Sequence, residues 1–294
     1  MAKRRRIEEQ VVAITGGARG IGLATARALR AAGARVAIGD IDAGALAQAR
    51  QELGPDAYAG ELDVTDAASF ERFAAAVEEA LGPIGVLVNN AGIMPIGPFL
   101  EESEATARRI LEVNVLGCLN GMKTVLPGML ERRDGHVVNI ASVAGKAPVP
   151  GGATYAATKA AVISLTETAR VEFAGRGVDF TCVMPSFTAT ELIAGTKGTR
   201  FVKTVEPDDV ARAIAKAIAK PRADVYVPAS VGVILRTQPL VGRRLRDVVN
   251  NALGAYRTFL DVDRQARAAY EARVAPLAEQ GERQEAKERD PAAA

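Results

Sequence analysis

The sequence has few of the residues that build disulfide frameworks or metal sites. Its 294 residues include two cysteines, one histidine and no tryptophan. Cys118 and Cys182 lie far apart in apolar segments, which favours reduced, packed thiols over a disulfide framework. We therefore expect a cytoplasmic protein without a metal site. We assign no chemistry to the lone histidine, His136.

Long hydrophobic runs and an excess of one charge are also missing. No uninterrupted apolar stretch reaches the roughly 18 residues that a membrane-spanning helix needs. A basic run from Lys3 to Arg6 precedes an apolar stretch, Val11–Ile14, that is too short for a signal peptide. With 37 basic and 35 acidic residues, the net charge of +2 gives no global field that would attract nucleic acid or an anionic membrane. A soluble protein is expected.

What the chain does have is a regular alternation of short β-branched runs with longer alanine-rich segments. This pattern is typical of repeated βαβ units. The predicted strands are Val11–Ile14, Arg35–Gly39, Ala57–Leu62, Ile84–Asn89, His136–Ala141, Val178–Met184 and Asp224–Val227, the last of them after a helix at Pro207–Ala219. The prediction is an α/β fold, a single doubly wound Rossmann-type domain with helices on both faces. Its parallel sheet has about seven strands in the order 3-2-1-4-5-6-7.

A glycine-rich turn follows the first predicted strand and leads into an alanine-rich helix. The candidate dinucleotide contacts in this turn are Gly16, Arg19, Gly20, Ile21 and Gly22. The three glycines permit a tight turn and close approach of the backbone to a pyrophosphate, and the helix N-terminus supplies N–H donors. The spacing Gly-x-x-x-Gly-x-Gly differs from the usual Gly-x-Gly-x-x-Gly fingerprint. Taken alone, the turn therefore fits a ligand-free glycine turn equally well.

An acidic residue, Asp40, ends the second predicted strand and favours a nucleotide at that turn. Its carboxylate can accept hydrogen bonds from the adenosine ribose hydroxyls, and its charge would repel a 2′-phosphate. Arg19 can instead serve a 2′-phosphate, and Asp42 is a second carboxylate close by. The balance favours NAD over NADP as cofactor.

Two further strand ends are placed near the cofactor. Asp63 closes the third predicted strand, and Asp63 and Val64 are assigned to the adenine edge. The alternative for Asp63 is a turn-capping residue without a ligand. Asn90, Ala91 and Gly92 end the fourth strand beside the first.

Four side chains suggest proton and hydride chemistry. Tyr155 and Lys159 are four residues apart in a helical pattern, so both lie on one face. Because the phenol pKa is near 10, a neighbouring cation would help Tyr155 to act as an acid or base near neutral pH. Ser142 ends the fifth strand and can donate to a carbonyl oxygen. Asn114, in mid-helix, can hold a water linked to Lys159; a turn serine and an exposed or backbone-bonded asparagine are the alternatives.

Taken together, these motifs resemble the classical short-chain dehydrogenases/reductases over roughly residues 10–230. The shared ordered set is Thr15-Gly16-x-x-x-Gly20-Ile21-Gly22, Asp63, Asn89-Asn90-Ala91-Gly92, Asn114, Ser142, Tyr155 and Lys159. The resemblance implies that Tyr155 is the proton donor or acceptor and that Lys159 also binds the nicotinamide ribose. It further implies that Ser142 orients the substrate oxygen and that Asn114 maintains a proton relay.

The segment Met184–Thr190 is similar to the family's Pro-Gly stretch after the sixth strand. In the family a threonine of this stretch commonly contacts the nicotinamide carboxamide. Thr190 is the better match and Thr188 the second choice, with Pro185 before them. Ser186 stands where the family usually has glycine.

Apolar residues dominate the loops expected at the carboxyl ends of the strands. They are Ile93, Met94, Pro95, Phe99, Val143, Val149, Pro150, Phe187, Leu192 and Ile193. No cluster of arginine or lysine is available there for a carboxylate or phosphate. We therefore expect a hydrophobic secondary alcohol or ketone, lipid-like, terpenoid or steroidal, as substrate, while core packing is the alternative role for several of these residues.

The predicted organisation is a basic N-terminal arm (1–9), the catalytic and dinucleotide-binding domain (10–230) with a substrate loop (186–204), a helical extension (231–278) and a charged flexible tail (279–294). From Val241 to Leu260, apolar residues recur at helical spacing. This pattern predicts an amphipathic helix, and our hypothesis is that it covers the substrate mouth or lies on a lipid surface; a solvated face is the alternative for its basic residues Arg243, Arg244 and Arg246. The expected assembly is a homodimer or homotetramer.

Two other functions are compatible with the same scaffold. A binding or sensor protein would hold NAD without turnover, since a fold alone does not give activity. A dehydratase or epimerase would bind the dinucleotide and use it without net NADH production. All four side chains of the reactive set are present, which favours the oxidoreductase.

Overall fold

A computed structural model describes residues 5–196, 204–237, 241–252 and 256–274. Its centre is a seven-stranded parallel sheet in the order β3-β2-β1-β4-β5-β6-β7, which confirms the predicted fold. The strands are β1 (Val11–Thr15), β2 (Arg35–Asp40), β3 (Tyr58–Glu61), β4 (Val86–Asn89), β5 (Gly135–Ile140), β6 (Val178–Pro185) and β7 (Asp224–Val227). Each end lies within two residues of its predicted position. The tail at 279–294 and residues 197–203 of the substrate loop lie outside the described residues.

Helices cover both faces of this sheet. In chain order, the helices up to residue 252 are α1 (Gly20–Ala31), α2 (Ala43–Leu53), α3 (Ala67–Leu81), α4 (Glu104–Leu111), α5 (Gly117–Arg132), α6 (Ala153–Glu172), α7 (Pro207–Ala219), α8 (Ala229–Thr237) and α9 (Arg243–Ala252), not all of which pack on the sheet. Leu29 of α1, Leu46 of α2 and Ile214 of α7 belong to one buried cluster. Phe70 of α3 and Met129 of α5 belong to the cluster on the other face. The central strands are buried on both sides, which explains their continuous apolar sequences.

The N-terminal residues that the structure describes do not form a free basic arm. The Arg5 side chain is buried, donates to the Gly135 carbonyl at 2.6 Å and forms an ion pair with Asp134 at 2.7 Å. A second carboxylate, Asp179, lies 3.2 Å away. One basic residue of the predicted arm is thus bound to the domain by a carbonyl and two partly exposed carboxylates, whereas Lys3 and Arg4 lie outside the described residues, so the arm stays a prediction.

The C-terminal extension also differs from a single long amphipathic helix. α8 spans the predicted boundary at residue 230, and α9 covers Arg243–Ala252; because residues 256–260 are not helical, the helix predicted as far as Leu260 is wrong for those residues. Residues 256–260 form a turn, and residues 264–274 form a further helix, which we call the terminal helix. On α9, Leu245 and Val248 are 60% and 66% exposed, so these two apolar side chains are not packed against the domain. Within the described ranges, no helix is long and apolar enough to cross a membrane.

Candidate active site

A deep cleft of about 1350 Å³ lies at the carboxyl ends of the strands. Pockets for one small ligand usually have roughly 300–1,000 Å³, so this cleft has room for a large ligand beside a second molecule. Of the site residues predicted from sequence, the following line it: Gly16, Arg19, Gly20, Ile21, Asp40, Asp63, Val64, Asn90, Ala91, Gly92, Ser142, Tyr155, Lys159, Pro185, Thr188 and Thr190. The remaining two, Gly22 and Asn114, lie directly behind its wall.

Tyr155 and Lys159 lie on consecutive turns of α6, and both are buried. The Lys159 ammonium nitrogen is 5.6 Å from the centre of the Tyr155 ring. The same nitrogen donates to the Ile140 carbonyl at the end of β5, with an N–O distance of 2.9 Å. This bond fixes the lysine between the sheet and the phenol, so α6 presents both side chains to the cleft.

Burial shifts the pKa of both groups toward their neutral forms. It raises the pKa of Tyr155 to about 12, although a hydrogen bond with Ser142 opposes part of that shift. It lowers the pKa of Lys159 to about 8. Strongly perturbed groups in a cleft are typical of functional sites, because desolvation and charge partners are how proteins adjust acids and bases.

Ser142 follows β5 and caps a short 3₁₀ turn. Its hydroxyl accepts from the Ala144 N–H at 3.1 Å and lies 3.5 Å from the Pro185 carbonyl. The contact with Pro185 is long and therefore weak, and the hydrogen bond with Tyr155 keeps the Ser142 hydroxyl beside the phenol, where both groups face the cleft.

Asn114 lies in a π-helical turn, Glu112–Leu116, between α4 and α5. π-turns occur frequently at functional sites, and this one turns the amide inward from an otherwise α-helical segment. The amide oxygen accepts from Ile93 N at 2.8 Å, and the amide nitrogen donates to Ile93 O and to the Thr158 hydroxyl. A small cavity of about 10 Å³, near the volume of one water, lies beside it.

The key glycines of the glycine-rich turn could not be replaced by residues that carry a side chain. Gly16 and Gly20 have φ of +60° and +50°, a region that side-chain-bearing residues rarely occupy. A Cβ at Gly22 would lie 2.1 Å from the Gly16 carbonyl oxygen. Asn90 holds the turn from the end of β4, since its amide nitrogen donates to the carbonyls of Thr15 and Gly16 at 3.0 Å.

Two carboxylates and an arginine occupy the outer end of the cleft. Asp40 accepts from Ala18 N at 3.1 Å and from Asp42 N at 3.2 Å. Arg19, the candidate partner for a 2′-phosphate, forms an ion pair with Asp42. A hydrogen bond from the Ala45 N–H, and then Arg19, lower the pKa of Asp42. The guanidinium is therefore already engaged by a carboxylate.

Asp63 caps a turn, which was the predicted alternative to a cofactor contact, and it also lines the cleft. One of its oxygens accepts from the Thr65 N–H at 2.9 Å and from the Thr65 hydroxyl at 2.7 Å. Val64 is buried beside it. The second carboxylate oxygen of Asp63 has no protein partner among the described residues, so it is free for a ligand.

After β6 the chain crosses the cleft. Thr188 is buried, and its hydroxyl donates to Ser186 O at 3.1 Å. The Thr190 methyl group lies 3.3 Å from where a Cβ of Gly20 would be, so this segment approaches the glycine-rich turn. Ser186 does not have a left-handed backbone, so serine at this position causes no strain there.

The residues present fit a nicotinamide dinucleotide. Gly16, Gly20 and Gly22 keep part of this turn free of side chains, and α1 begins at Gly20, so the N–H groups of its first turn are offered to a ligand. The Ser186 hydroxyl is buried on the cleft wall and has no partner among the described residues. A buried hydroxyl without a partner is costly, and a ligand with hydrogen-bonding groups would remove that cost.

The C-terminal segment, residues 256–274, closes the mouth of the cleft. Phe259 packs against Phe187 with ring centres 5.6 Å apart. Arg267 has no exposed surface and donates to the carbonyls of Met94 and of Leu192. Arg273 lines the cleft and forms an ion pair with Glu191. The segment therefore joins the two loops that border the substrate end.

Comparison with known protein families identifies the family to which this chain belongs. The short chain dehydrogenase family profile matches residues 10–200, which is more than half of the chain. The chain belongs to the short-chain dehydrogenase family. Its enzymatic class follows: it is an oxidoreductase acting on CH–OH groups, as the resemblance in the motifs predicted.

Individual short-chain dehydrogenases show the extent of this similarity. The 2-(S)-hydroxypropyl-CoM dehydrogenase 3 of Xanthobacter autotrophicus is 40% identical over 183 residues, 61% of this chain and 72% of the relative. The inactive 2-(S)-hydroxypropyl-CoM dehydrogenase 2 of the same organism is 43% identical over 165 residues, 56% and 72% of the two chains. The crystal structure of a short-chain dehydrogenase/reductase from Burkholderia phymatum in complex with NAD has a TM-score of 0.73 and 29% identity, covering 79% of this chain and 93% of that one.

Sequence reasoning missed the part of this short-chain dehydrogenase that closes the substrate end. Arg267 and Arg273 bring two arginines to a region where none was expected, although both are engaged by protein groups. Pro95, Phe99 and Pro150 do not line the cleft, and Phe99 is exposed. The contacts of the terminal helix span more than 70 residues in sequence, so no local pattern could reveal them.

Proposed function

We propose that the chain transfers a hydride between NAD(H) and a hydrophobic secondary alcohol or ketone, with Tyr155 as general acid or base. One observation carries the proposal: Tyr155, Ser142 and Lys159 line the same cleft as the glycine-rich turn. A proton-transferring group and a dinucleotide-binding element therefore share one space. The Xanthobacter relative, named as a dehydrogenase of a 2-(S)-hydroxypropyl compound, supports an alcohol as substrate.

Each reactive side chain has a defined task in this proposal. In oxidation, the Tyr155 phenolate takes the hydroxyl proton of the substrate, and in reduction the phenol returns it. Lys159 favours the phenolate through its positive charge beside the ring. Ser142 donates to the substrate oxygen and stabilises the charge that develops on it. A nicotinamide dinucleotide held by the Gly16–Gly22 turn and Asp40 would supply the hydride acceptor for oxidation and the hydride donor for reduction.

Asn114 is proposed to hold a water of a proton relay. The small cavity beside it is also lined by Ile140, whose carbonyl accepts from Lys159. Asn89 lines the same cavity, and its amide oxygen is buried without a partner among the described residues. A cavity of about one-water size with an unsatisfied acceptor is a favourable place for a buried water. Such a water would link the Asn114 region to the lysine.

NAD is the proposed cofactor, in preference to NADP. Asp40 lies on the cleft wall, where a carboxylate accepts from ribose hydroxyls and repels a phosphate. The ion pair between Arg19 and Asp42 reduces the attraction of Arg19 for a 2′-phosphate. The NAD complex of the Burkholderia structure supports the same choice.

The proposed substrate class follows from the walls of the inner cleft. Met94, Val149, Phe187, Leu192 and Phe259 line it with apolar surface. The arginines that reach this end, Arg267 and Arg273, are already bound to carbonyls and to a carboxylate. A neutral, lipid-like, terpenoid or steroidal alcohol fits these walls better than an anionic substrate.

The alternative is an NAD-binding sensor or scaffold without turnover. The inactive relative, 43% identical, makes this a concrete competitor, because similarity within the family does not guarantee activity. Retention of Asn114, Ser142, Tyr155 and Lys159 favours the enzyme. A dehydratase or epimerase would show no net NADH production.

Assembly and compartment are proposed on surface features. A homodimer or homotetramer would cover exposed apolar side chains such as Leu100, Leu111 and Leu116. Both cysteines are buried and free, which supports a reducing compartment such as the cytoplasm. Contact with a lipid surface remains a separate proposal for α9, because Leu245 and Val248 are exposed on an arginine-rich helix.

An absorbance screen tests the proposed function. Purified protein is incubated with NAD, or in parallel with NADP, and a panel of cyclic, steroidal and long-chain alcohols, and reduced nicotinamide is recorded. The expected result is NAD reduction with apolar secondary alcohols and none with Tyr155→Phe. NADH binding without reduction of NAD by any alcohol, or of a ketone by NADH, would favour the sensor.

A further inference from the structure

Tyr270, on the terminal helix, is a polar group in the substrate end of the cleft that the proposed reaction does not use. The residue is only 6% exposed and lines the same cleft as Tyr155 and Ser142. Its ring lies against the Arg267 guanidinium, 4.7 Å from the ring centre. Its hydroxyl oxygen accepts from the Met94 N–H at 2.7 Å. Both ends of the side chain are thus fixed.

The hydrogen bonds of this phenol are incomplete. A tyrosine hydroxyl has one proton to donate besides its accepting lone pairs. Met94 uses an accepting position, and within the described part of the chain no group accepts the proton of Tyr270. A buried donor without an acceptor is costly, so the arrangement favours a ligand that supplies one.

Because its surroundings are apolar, the Tyr270 hydroxyl discriminates between ligands with and without a hydrogen-bond acceptor. Met94, Leu192 and Phe259 provide apolar walls beside it. In such a setting, a ligand that lacks an acceptor leaves the hydroxyl unpaired, and a ligand that has one gains a bond in a low dielectric. The pKa of Tyr155, which burial raises, is raised further by Tyr270, so the two phenols lie within electrostatic reach in one pocket.

The reacting oxygen already has its partners in the proposed reaction. Tyr155 and Ser142 serve that oxygen, and both come from the sheet side of the cleft. Tyr270 comes from a different element, the terminal helix, which Arg267 attaches to the Met94 and Leu192 carbonyls. Its proton is therefore available to a different atom of the substrate.

We propose that Tyr270 is a specificity-determining residue that donates a hydrogen bond to a second oxygen of the substrate. The preferred substrates are then hydrophobic secondary alcohols or ketones that carry a further hydroxyl, carbonyl or ether oxygen away from the reacting carbon. This inference rests on the proposed function, since it assigns the second contact of the same substrate.

Matched substrate pairs test the inference. A panel of cyclic and steroidal alcohols is assayed against analogues that differ only by one added oxygen at varied distances from the reacting carbon. In the wild type, at least one analogue should have a kcat/KM about fivefold or more above its parent, as expected for one net hydrogen bond. In Tyr270→Phe this ratio should fall to near one, because only the oxygen-bearing analogue loses the proposed bond, whereas loss of the Met94 bond affects kcat/KM for both members of a pair alike.

Tyr256→Phe is the matched control. It removes a phenol hydroxyl from the same segment, where the group bonds to Asp247 on α9, outside the cleft. Its substrate ratio should equal that of the wild type. A purely structural role of Tyr270 would lower kcat/KM for both members of a pair and leave the ratio unchanged, which would overturn the inference.

A binding experiment separates failure of this inference from failure of the proposed function. Ligand-induced shifts of Tm are measured in the presence of NADH for the same pairs, so turnover is not needed. If no alcohol is oxidised and no ketone reduced, the proposed function fails, and a larger Tm shift from the oxygen-bearing ligand in wild type than in Tyr270→Phe still supports the contact. Absence of any pair preference in the wild type overturns the inference whether or not the variant folds.

Discussion

The Lys159 ammonium nitrogen lies 5.6 Å from the centre of the Tyr155 ring, one helical turn away on α6. The Ile140 carbonyl fixes the lysine from the sheet side by accepting a hydrogen bond from its ammonium group, with an N–O distance of 2.9 Å. Burial disfavours charge on both groups, since it raises the pKa of the phenol to about 12 and lowers that of the ammonium to about 8. The positions of Tyr155 and Lys159 are thus fixed, and burial shifts the pKa of each group toward its neutral form.

Replacing Tyr155 with phenylalanine should abolish most turnover. The change removes the proton-transferring hydroxyl and leaves the ring in its packing position, so NADH binding should change less than about twofold. We expect kcat to fall by roughly 10²–10⁴-fold, the usual contribution of a positioned acid or base. Steady-state kinetics and NADH fluorescence titration measure the two effects. A variant that retains a tenth of wild-type kcat would contradict the assignment.

Lys159 should make stability depend on pH in a defined window. The folded pKa is about 8 and the usual value is 10.5, so between these values the unfolded chain binds a proton that the folded protein has lost. Stability therefore rises with pH across this window through this group. Below about pH 8 the buried ammonium costs the folded state about 3 kcal/mol. The cost is relieved as pH rises.

Comparison with Lys159→Met isolates this effect from other groups. Buried phenols and thiols with raised pKa values, such as Tyr155 and Cys118, act in the opposite direction above pH 9 and are common to both proteins. Urea unfolding at pH 7, 8.5 and 10 should show the wild type gaining stability relative to the variant as pH rises. A constant difference across the three pH values would show that Lys159 is not the titrating group.

The sheet and most of the cofactor end could be predicted because they follow from local patterns. Continuous apolar runs such as Val86–Val88 mark strands buried on both faces, and parallel sheets place their carboxyl ends together. Asp40 and Ser142 each follow a strand in sequence, so their presence in one cleft could be deduced without coordinates.

The substrate end could not be predicted in the same way. The bond from Arg267 to the Met94 carbonyl joins residues 173 positions apart, and nothing in either local sequence announces it. The π-turn around Asn114 is equally invisible, because its residues fit an α-helical pattern. The positive charge of Arg5 also could not predict its position, because this residue is buried against carboxylates that are distant in sequence.

Removing the charge of Asp40 should weaken the preference for NAD. Asp40→Asn keeps an oxygen that can accept from Ala18 N or Asp42 N, so the glycine-rich turn should stay in place. Loss of a charge-assisted bond to the ribose, together with lost repulsion of a 2′-phosphate, should lower the NAD/NADP ratio of kcat/KM roughly 10- to 100-fold. Parallel kinetics with both cofactors give this ratio.

The control for that substitution is Asp56→Asn. Asp56 is an exposed aspartate that pairs with Arg30 outside the cleft, so the same chemical change should leave the cofactor ratio unaltered. If Asp40→Asn and Asp56→Asn have equal ratios, the carboxylate of Asp40 has no part in cofactor choice.

Arg267 should be the residue that holds the C-terminal segment over the cleft. Its guanidinium donates to carbonyls on the Met94 loop and on the segment after β6, and its Nε lies 3.1 Å from a Glu271 oxygen. Such bridging needs several donors in a planar arrangement, which lysine does not have. Both Arg267→Met and Arg267→Lys should therefore weaken the attachment of the C-terminal segment to the two loops at the mouth of the cleft.

Arg267→Met should lower the free energy of unfolding by about 2–4 kcal/mol, because buried carbonyls lose their donors. A loosened segment also exposes the apolar substrate end, so KM for an apolar alcohol should rise severalfold while the NADH Kd stays near the wild-type value. Arg264→Met is the matched control, since Arg264 is exposed one turn earlier and pairs loosely with Glu101 at 3.7 Å. Limited proteolysis should cut the C-terminal segment faster in Arg267→Met than in Arg264→Met. Equal cleavage rates and equal KM values would mean that the segment is held by its apolar contacts, such as Phe259 on Phe187, and not by the arginine.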